Sequence, residues 1–101
     1  MNTDEININS IRAKANKLSE YIIHTPTTSL HSAVISKLMS GCKIFLKLEC
    51  MQHTGTFKAR GAISVASEIS KEQKKFGVTA ASAGNHAIAS AWAARKLEMS
   101  A

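Results

Sequence analysis

Apolar residues near the N-terminus recur at every third or fourth position, which is the spacing of one helix face. This pattern predicts a helix from Ser10 to about Ile22, ended before Pro26 because the residue preceding a proline is pushed out of the α region. The polar residues 1–9 are expected to fray. A second, shorter helix is predicted from Leu30 to Met39, and Ser40-Gly41 ends it.

The rest of the chain alternates between strand and helix patterns. Period-two alternation predicts a strand over Lys43 to Glu49, and a helix is predicted from Phe57 or Lys58 to about Gln73. Small and β-branched residues predict a second strand over Phe76 to Ala81. The tight turn Ser82-Ala83-Gly84 then leads into an alanine-rich helix from Asn85 to about Leu97. This order of elements predicts an α/β layer with a parallel sheet.

Composition limits the core that these elements can build. The chain has 101 residues, which suits one small domain at most, and two strands do not make a stable open sheet. Hydrophobic residues make up 45% but aromatics only 5%, and much of the apolar content is alanine, which buries little area. The core is therefore expected to be thin. Glu98 stands where a glycine commonly ends a helix. If that position is left-handed, glutamate destabilises it by about 1 kcal/mol relative to glycine.

The formal net charge of +6 raises the hypothesis of a nucleic-acid binder. The lysines are scattered, with only Lys71 to Lys75 clustered, and aromatic residues do not alternate with them as a single-strand binder would need. No nucleic-acid partner is therefore expected, although salt-sensitive binding would revive that hypothesis. A positive potential would also suit an anionic cofactor and a carboxylate substrate.

Signals for membranes, secretion and metals are also weak. No stretch is long enough to span a membrane, and Met1 to Glu5 lacks the basic and apolar regions of a signal peptide, so a cytoplasmic location without a membrane partner is expected.

Cys42 and Cys50 flank the first predicted strand, too far apart for a disulfide and without a metal-ligand spacing. Reduced, buried or half-buried thiols and no metal site are predicted.

Two segments carry candidate chemistry. The first, Thr54 to Ala62, places the amine of Lys58 at a loop-to-helix junction directly after an aromatic residue. A lysine amine can form a Schiff base, and both the helix dipole and partial burial against Phe57 would favour its neutral form. The second, Ser82 to Ala87, is a small-residue turn that opens a helix, where successive backbone N–H groups can bind an anion.

Both segments closely resemble the N-terminal signatures of the threonine dehydratase and serine racemase family of fold-type-II pyridoxal-phosphate enzymes. Thr25-Pro26, and Lys47-Leu48-Glu49 followed by Gln52, also resemble this family, so the resemblance covers about residues 11–101. It implies a partial parallel-sheet, three-layer domain of the tryptophan synthase β-like architecture. Residues 1–101 would be the truncated N-terminal portion of a longer catalytic domain, and the longer parent is expected to form a homo-oligomer.

The resemblance implies a role for several residues of the first segment. Lys58 would form the internal aldimine with pyridoxal 5'-phosphate, and its freed amine would then take the α-proton of the substrate. Phe57 would pack beside the cofactor pocket, Arg60 would fix the helix to a neighbouring loop, and Gly61 would permit close packing. Outside this motif, Lys58 would be read as an ordinary surface lysine and Phe57 as a core residue.

The resemblance also implies roles for the second segment. Asn85 resembles the asparagine that hydrogen-bonds the phenolic oxygen of the cofactor. The turn Ser82, Ala83, Gly84, Asn85 and His86 resembles the loop that receives the substrate carboxylate. Ser82 or Asn85 could instead cap the helix, and His86 could pack or support the loop rather than transfer protons. Capping and ligand binding can coexist at such a turn.

Ala83 favours one reaction within the family. In serine racemases the residue before this glycine is a serine that handles protons on the face opposite the lysine, and alanine cannot transfer a proton. The resemblance therefore implies a threonine- or serine-type ammonia-lyase that eliminates water and then ammonia from a hydroxy amino acid. A serine or aspartate racemase is the alternative within the family.

The sequence also departs from the family pattern. The glycine-rich phosphate loop of the family has no counterpart, because no Gly-Gly pair occurs in the chain. A truncated, non-catalytic fragment or an interaction segment is therefore the alternative from another class. The 101 residues alone are expected to be inactive.

Overall fold

Short helices joined by irregular segments make up most of residues 6–101, which are those that the computed structural model describes. The regular elements are α1 (Ile8–Leu18), β1 (Thr27–Ser29), α2 (Ala33–Leu38), β2 (Phe45–Lys47), α3 (Lys58–Ala66), α4 (Lys71–Lys74) and α5 (Asn85–Lys96). Two 3₁₀ turns, Glu49–Met51 and His53–Gly55, join β2 to α3. Residues 1–5, part of the stretch expected to fray, lie outside this description. Within it, no helix has the length and apolar character needed to cross a bilayer.

Helix α1 begins and ends earlier than the apolar pattern predicts. The Asn7 side chain accepts a hydrogen bond from the Ser10 N–H (2.9 Å), and the Ser10 hydroxyl accepts one from the Asn7 N–H (3.1 Å). This capping box starts the helix at Ile8, so residues 8 and 9 are helical rather than frayed. The helix stops at Leu18, one turn before the predicted end.

The only sheet in the described residues is a two-stranded antiparallel ribbon, with Thr27 opposite Lys47 and Ser29 opposite Phe45. The expected parallel pairing is therefore wrong for this part of the chain. The sequence pattern does not predict β1, because its three exposed, polar residues show no alternation of apolar and polar positions. β2 retains only the centre of the predicted strand.

The segment 76–81, predicted as a strand, does not form one. Among the described residues it has no strand beside it to pair with, and a single backbone hydrogen bond joins the Val78 N–H to the Ser100 carbonyl (2.9 Å). Gly77 has a φ of +73°, and a Cβ at this position would lie 2.6 Å from the Ser100 carbonyl oxygen. Glycine is therefore required for the two backbone segments to approach this closely.

The third predicted helix is divided into two. α3 ends at Ala66, and beyond it the Ser67 hydroxyl donates to the Ser64 carbonyl (3.0 Å). A separate helix, α4, starts after Ser70, whose hydroxyl accepts a hydrogen bond from the Gln73 N–H (3.2 Å). Serine side chains compete for nearby backbone groups, which explains why a continuous apolar pattern does not give a continuous helix.

Helices α3 and α5 pack against each other and supply most of the core, with a contribution from α1. The buried apolar residues are Leu18, Ala59, Ile63, Ala66, Ala89, Ala93, Ala94 and Met99. Five of these eight residues are alanines, so the apolar area removed from water is small. The prediction of a thin core is confirmed.

Helix α5 ends in a Schellman motif built on a residue other than glycine. The Met99 N–H donates to the Ala94 carbonyl (2.9 Å), and the Glu98 N–H donates to the Arg95 carbonyl (3.3 Å). Glu98 has a φ of +56°, in the left-handed region where a Cβ is strained. The motif directs the buried Met99 towards the core, so its geometry is set by packing despite the unfavourable residue.

Replacing Glu98 with glycine should stabilise the end of α5. Glycine adopts this conformation without steric cost, so Glu98→Gly should raise the free energy of unfolding by about 1 kcal/mol. Thermal scans by far-UV circular dichroism would then show a higher midpoint. Lys96→Gly, inside the same helix, is the matched control and should lower the midpoint. A lower midpoint for Glu98→Gly would contradict this account of the turn.

The chain is more extended than a complete small domain. Its radius of gyration is 17.0 Å and its principal extents are 55 × 32 × 23 Å, whereas a compact domain of this length has a radius of about 13 Å. Many large apolar side chains are exposed, among them Phe45, Phe57, Val65, Phe76 and Ile88. Apolar faces of this kind usually pack against further protein.

The thiols of Cys42 and Cys50 are free, as predicted, but both are exposed rather than buried or half-buried. All three residues of β2 are exposed, so the cysteines that flank this strand lie at the surface with it. Within residues 6–101, no group of three or more histidine, cysteine, aspartate or glutamate side chains could hold a metal ion.

Candidate active site

A sharply turned loop places Lys58 at the first position of α3. Thr54 and Gly55 have φ values of +65° and +73°, so two consecutive residues are left-handed just before the helix. The Thr56 hydroxyl then accepts a hydrogen bond from the Lys58 N–H (3.3 Å). The Lys58 side chain therefore starts from the first helical turn, where the helix dipole is positive.

Lys58 lies on the wall of an open cleft of about 460 Å³. The cleft is bounded by α3 and Ile69, by the segment 78–80 and by one side of α5 from His86 to Ala93. Its polar lining comes from Lys58, Thr79, His86 and Ser90, and the rest of the lining is small or apolar. No motif marks Thr79 or Ser90, so the sequence alone does not single them out.

Gly61 leaves open space on the cleft wall beside Lys58. Residues three apart are neighbours on one helix face, and both residues line the cleft. A Cβ at Gly61 would meet no atom within 4 Å. The expectation that this glycine permits close packing of α3 is therefore wrong for the described residues, because no neighbour approaches it.

Lys58 and Phe57 are both more exposed than expected. The Lys58 ammonium lies 5.4 Å from the centroid of the Phe57 ring. Phe57 is itself 62% exposed, so its ring shields little of the Lys58 side chain from water. The prediction that Lys58 is partly buried against Phe57 is wrong here, because the cleft is open and no described residue closes over either side chain.

The small-residue turn before α5 lies at the surface. Ser82, Ala83, Gly84, Asn85 and His86 are all exposed, and of these five only His86 lines the cleft. The N-cap position of α5 is Gly84, which provides no side-chain cap, and the Ser82 hydroxyl accepts from the Gly84 N–H (3.3 Å) instead. Capping by Ser82 or Asn85 is therefore not observed, and the first N–H groups of α5 are left without a capping side chain.

Arg60 extends from the side of α3 opposite Lys58, because residues two apart on a helix point in nearly opposite directions. Its guanidinium donates to both oxygens of the Glu49 carboxylate, at 2.7 Å from Nε and 2.8 Å from Nη2. The Thr25 hydroxyl donates to the same carboxylate. Arg60 thus fixes α3 to the loop after β2, as predicted from the sequence.

Gln52 attaches the same loop to the segment before β1. Its carboxamide donates to the Ile23 carbonyl (2.8 Å) and accepts from the Ile23 N–H (3.0 Å). Thr25 and Gln52 are the buried polar residues of the described chain, and both take part in these contacts. In the sequence these two residues are marked only by the family resemblance, because no local pattern predicts a contact between residues 29 positions apart, such as Ile23 and Gln52.

The Glu49 carboxylate is strongly stabilised in its charged form. The hydrogen bond from Arg60, assisted by the one from Thr25, lowers the pKa of Glu49 from its ordinary value of 4.5 to about 2, and partial burial opposes this shift. The same ion pair raises the pKa of Arg60. Because the folded-state pKa is depressed, the stability that this carboxylate adds is fully present above pH 4.5 and is lost as the pH falls towards 2.

A ring contact fixes the loop before Lys58 from another direction. The His53 imidazole stacks on the indole of Trp92 in α5, with centroids 5.1 Å apart and an interplanar angle of 23°. Stacking of this kind adds about 1 kcal/mol beyond the area that it buries. The loop that leads into α3 is therefore held both to the segment around Ile23 and to α5.

Comparison with protein families matches residues 18–101 to the family described as "Pyridoxal-phosphate dependent enzyme". The matched range contains the whole cleft, the turn before α5 and the contacts of Arg60. Enzymes of this family depend on pyridoxal phosphate.

Two curated relatives are threonine enzymes. The L-threonine ammonia-lyase of Thermotoga maritima is 43% identical over 82 residues, which are 81% of this chain and 20% of the relative. The catabolic L-threonine dehydratase of Staphylococcus aureus is 38% identical over 96 residues, which are 95% of this chain and 27% of the relative. The chain thus spans only about a fifth to a quarter of the length of these relatives.

A solved structure also supports the match to this family. Maize serine racemase matches with a TM-score of 0.76 at 40% identity, covering 92% of this chain and 28% of the racemase. The predicted class, an incomplete α/β domain of the fold-type-II architecture, is thereby confirmed, although the one sheet of the described part is antiparallel. With a family match over residues 18–101, this chain belongs to the pyridoxal-phosphate dependent enzymes, as a part of the fold shared by threonine dehydratases and serine racemases.

Proposed function

We propose that this chain is the part of a threonine- or serine-type ammonia-lyase that supplies the reactive lysine, Lys58. The position of that amine is the observation that supports this most. Lys58 occupies the first turn of α3, on the wall of a cleft of about 460 Å³, next to the open space at Gly61. The substrate would be a small hydroxy amino acid, acted on by an enzyme of which this chain is a fraction.

The cleft residues fit the cofactor of the family. The primary amine of Lys58 can bond covalently to an aldehyde. The walls beside it, including Ala62 and Val65, are small and apolar enough to contact a pyridine ring, and the uncapped N-terminus of α5 can bind an anion. When bound, the cofactor would withdraw electrons from the α-carbon of an attached amino acid.

Each proposed role follows from the chemistry of the side chain. Lys58 would hold the aldehyde carbon until the substrate replaces it, and its freed amine would then accept the α-proton. The first N–H groups of α5, at Asn85 and His86, would bind the substrate carboxylate. The Asn85 carboxamide would donate a hydrogen bond to the phenolic oxygen of the cofactor. Ala83 cannot transfer a proton, which favours loss of water and then ammonia over racemisation.

A second candidate function is amino-acid racemisation. The similarity to maize serine racemase, at 40% identity, favours this alternative. Racemisation needs a second proton-transferring group on the face opposite Lys58, and the ammonia-lyase reaction does not. A polypeptide without catalysis remains the candidate from another class, because the apolar faces of the chain are extensively exposed.

The role of Lys58 can be tested by trapping. The chain would be treated briefly with pyridoxal phosphate at low temperature, reduced with borohydride, digested and analysed by mass spectrometry. Lys58 should carry most of the pyridoxyl label, because the small and apolar walls of the cleft beside it can hold the pyridine ring of the reagent next to its amine. Lys58→Ala should remove that label.

Lys43→Ala is the matched control, because Lys43 is also exposed but lies outside the cleft. This variant should leave the labelling of Lys58 unchanged. An even distribution of label over the lysines, or preferential labelling of any lysine other than Lys58, would show that the proposed assignment is wrong.

A further inference from the structure

We propose that Thr25, Glu49, Gln52 and Arg60 act together as a positioning device for Lys58, here called the α3 tether. The inference rests on the proposed role of Lys58. The residues of the tether would not themselves contact substrate or cofactor. The tether instead sets the rotation of α3 and the course of the loop that leads into it, and thereby the direction of the Lys58 amine.

The helical geometry explains why a contact on the far side of α3 controls Lys58. Successive residues advance by about 100° around the axis, so Arg60 and Lys58 lie on nearly opposite faces. Arg60 is held by two hydrogen bonds to one carboxylate, which fixes direction as well as distance. A rotation of the helix by about 30° would move each Cα by roughly 1 Å, and the end of a lysine side chain further.

The tether also closes a ring around the entry to α3. Glu49 precedes the loop and Arg60 follows it, so their ion pair joins the two ends of the segment that contains the left-handed Thr54 and Gly55. Between these two ends, the Gln52 carboxamide accepts a hydrogen bond from the Ile23 N–H and donates one to the Ile23 carbonyl. A strained loop of this kind persists only when its surroundings fix it, and here the tether supplies those contacts together with the His53–Trp92 stack.

Burial separates the tether from an ordinary surface ion pair. Thr25 and Gln52 are 1% and 4% exposed, and the Glu49 and Arg60 side chains are 16% and 34% exposed. A second ion pair, Lys14–Glu68, joins α1 to the turn just after α3, and its side chains are 38% and 45% exposed. Surface pairs of that kind contribute little, whereas removing Arg60 would leave the mostly buried Glu49 carboxylate without its counter-charge.

The test measures how the pyridoxyl label divides between Lys58 and Lys96 in the 101-residue chain, under the same trapping conditions. Arg60→Ala and Glu49→Gln should each lower the ratio of Lys58 label to Lys96 label about tenfold, because a displacement of roughly 1 Å strongly reduces the rate of a positioned group. Arg60→Lys should give an intermediate ratio, since it keeps the charge but not the two-pronged hydrogen bonding.

Glu68→Gln is the matched control, because it breaks an ion pair just beyond the end of α3 and should leave the ratio unchanged. Circular dichroism of every variant reports whether the helices remain. If Arg60→Ala loses its helical signal, Arg60→Lys and Glu49→Gln decide the question.

The two proposals fail in different ways. Wild-type protein in which Lys58 is labelled no faster than Lys96 would overturn the proposed function, and the tether would then have nothing to position. Selective wild-type labelling that survives Glu49→Gln and Arg60→Lys, with the helices intact, would overturn the tether alone.

Discussion

The 101-residue polypeptide is expected to release no detectable keto acid from L-threonine or L-serine, even with pyridoxal phosphate in excess. Its cleft is open, and Lys58 and Phe57 are exposed to water. Electrostatic stabilisation of developing charge is weak where water has free access. The sequence also holds no Gly-Gly pair that could form the phosphate loop implied by the family resemblance. A covalent bond to Lys58 is therefore expected without turnover.

The same polypeptide should unfold over a broad temperature range, with a low midpoint. Even complete domains are stable by only about 0.1 kcal/mol per residue. Here the core consists largely of alanines, with Ile63 its largest fully buried apolar side chain. Many large apolar residues are exposed, and the radius of gyration, 17.0 Å, exceeds the value of about 13 Å for a compact chain of this length. A marginally folded, loosely packed state follows from these quantities.

A coupled keto-acid assay and a thermal melt followed by circular dichroism would check both expectations. Lys58→Ala serves as the blank for turnover, and a sample without cofactor as the blank for the assay. Should the wild-type chain melt cooperatively and show turnover that Lys58→Ala abolishes, the 101 residues would be a minimal enzyme, and the interpretation of the chain as an incomplete part would be wrong.

The elements that follow from local sequence were predictable, and those that depend on distant partners were not. The start of α5 at Asn85 follows from a small-residue turn, and the left-handed Glu98 follows from the end of an apolar pattern. β1 has no pattern of its own and exists only because β2 lies beside it. The segment 76–81 has strand-forming residues but no neighbour among the described residues with which to form a ladder.

The same distinction holds for the candidate site. The motif around Lys58 correctly indicates a lysine at a helix N-terminus and an arginine that holds the helix to a loop. Its acceptor, Glu49, lies 11 positions earlier, and Thr25 lies a further 24 before that, so their meeting is a property of the fold. Exposure of Lys58 is likewise unpredictable, because it depends on what packs over the cleft rather than on its neighbours in sequence.

The reaction preference should reside largely in Ala83. By resemblance, serine racemases carry at this position a serine that transfers protons on the face opposite the lysine, and alanine has no proton to give. General acid–base groups contribute about 10²–10⁴-fold to rate. An enzyme that carries this segment should therefore lose racemisation by about 100-fold or more relative to elimination, because elimination needs no proton donor on the face opposite Lys58.

A chimera tests this directly. Residues 18–101 would replace the matching segment of maize serine racemase, and D-serine and pyruvate would be measured from the same reactions with L-serine. The ratio of racemisation to elimination should fall in the chimera and recover in its Ala83→Ser variant, because the hydroxyl restores a second proton-transferring group. Ala81→Ser, the same change two residues earlier, is the matched control and should leave the ratio low. A chimera that still forms mainly D-serine would show that another residue supplies the second proton, and that Ala83 does not distinguish the two reactions.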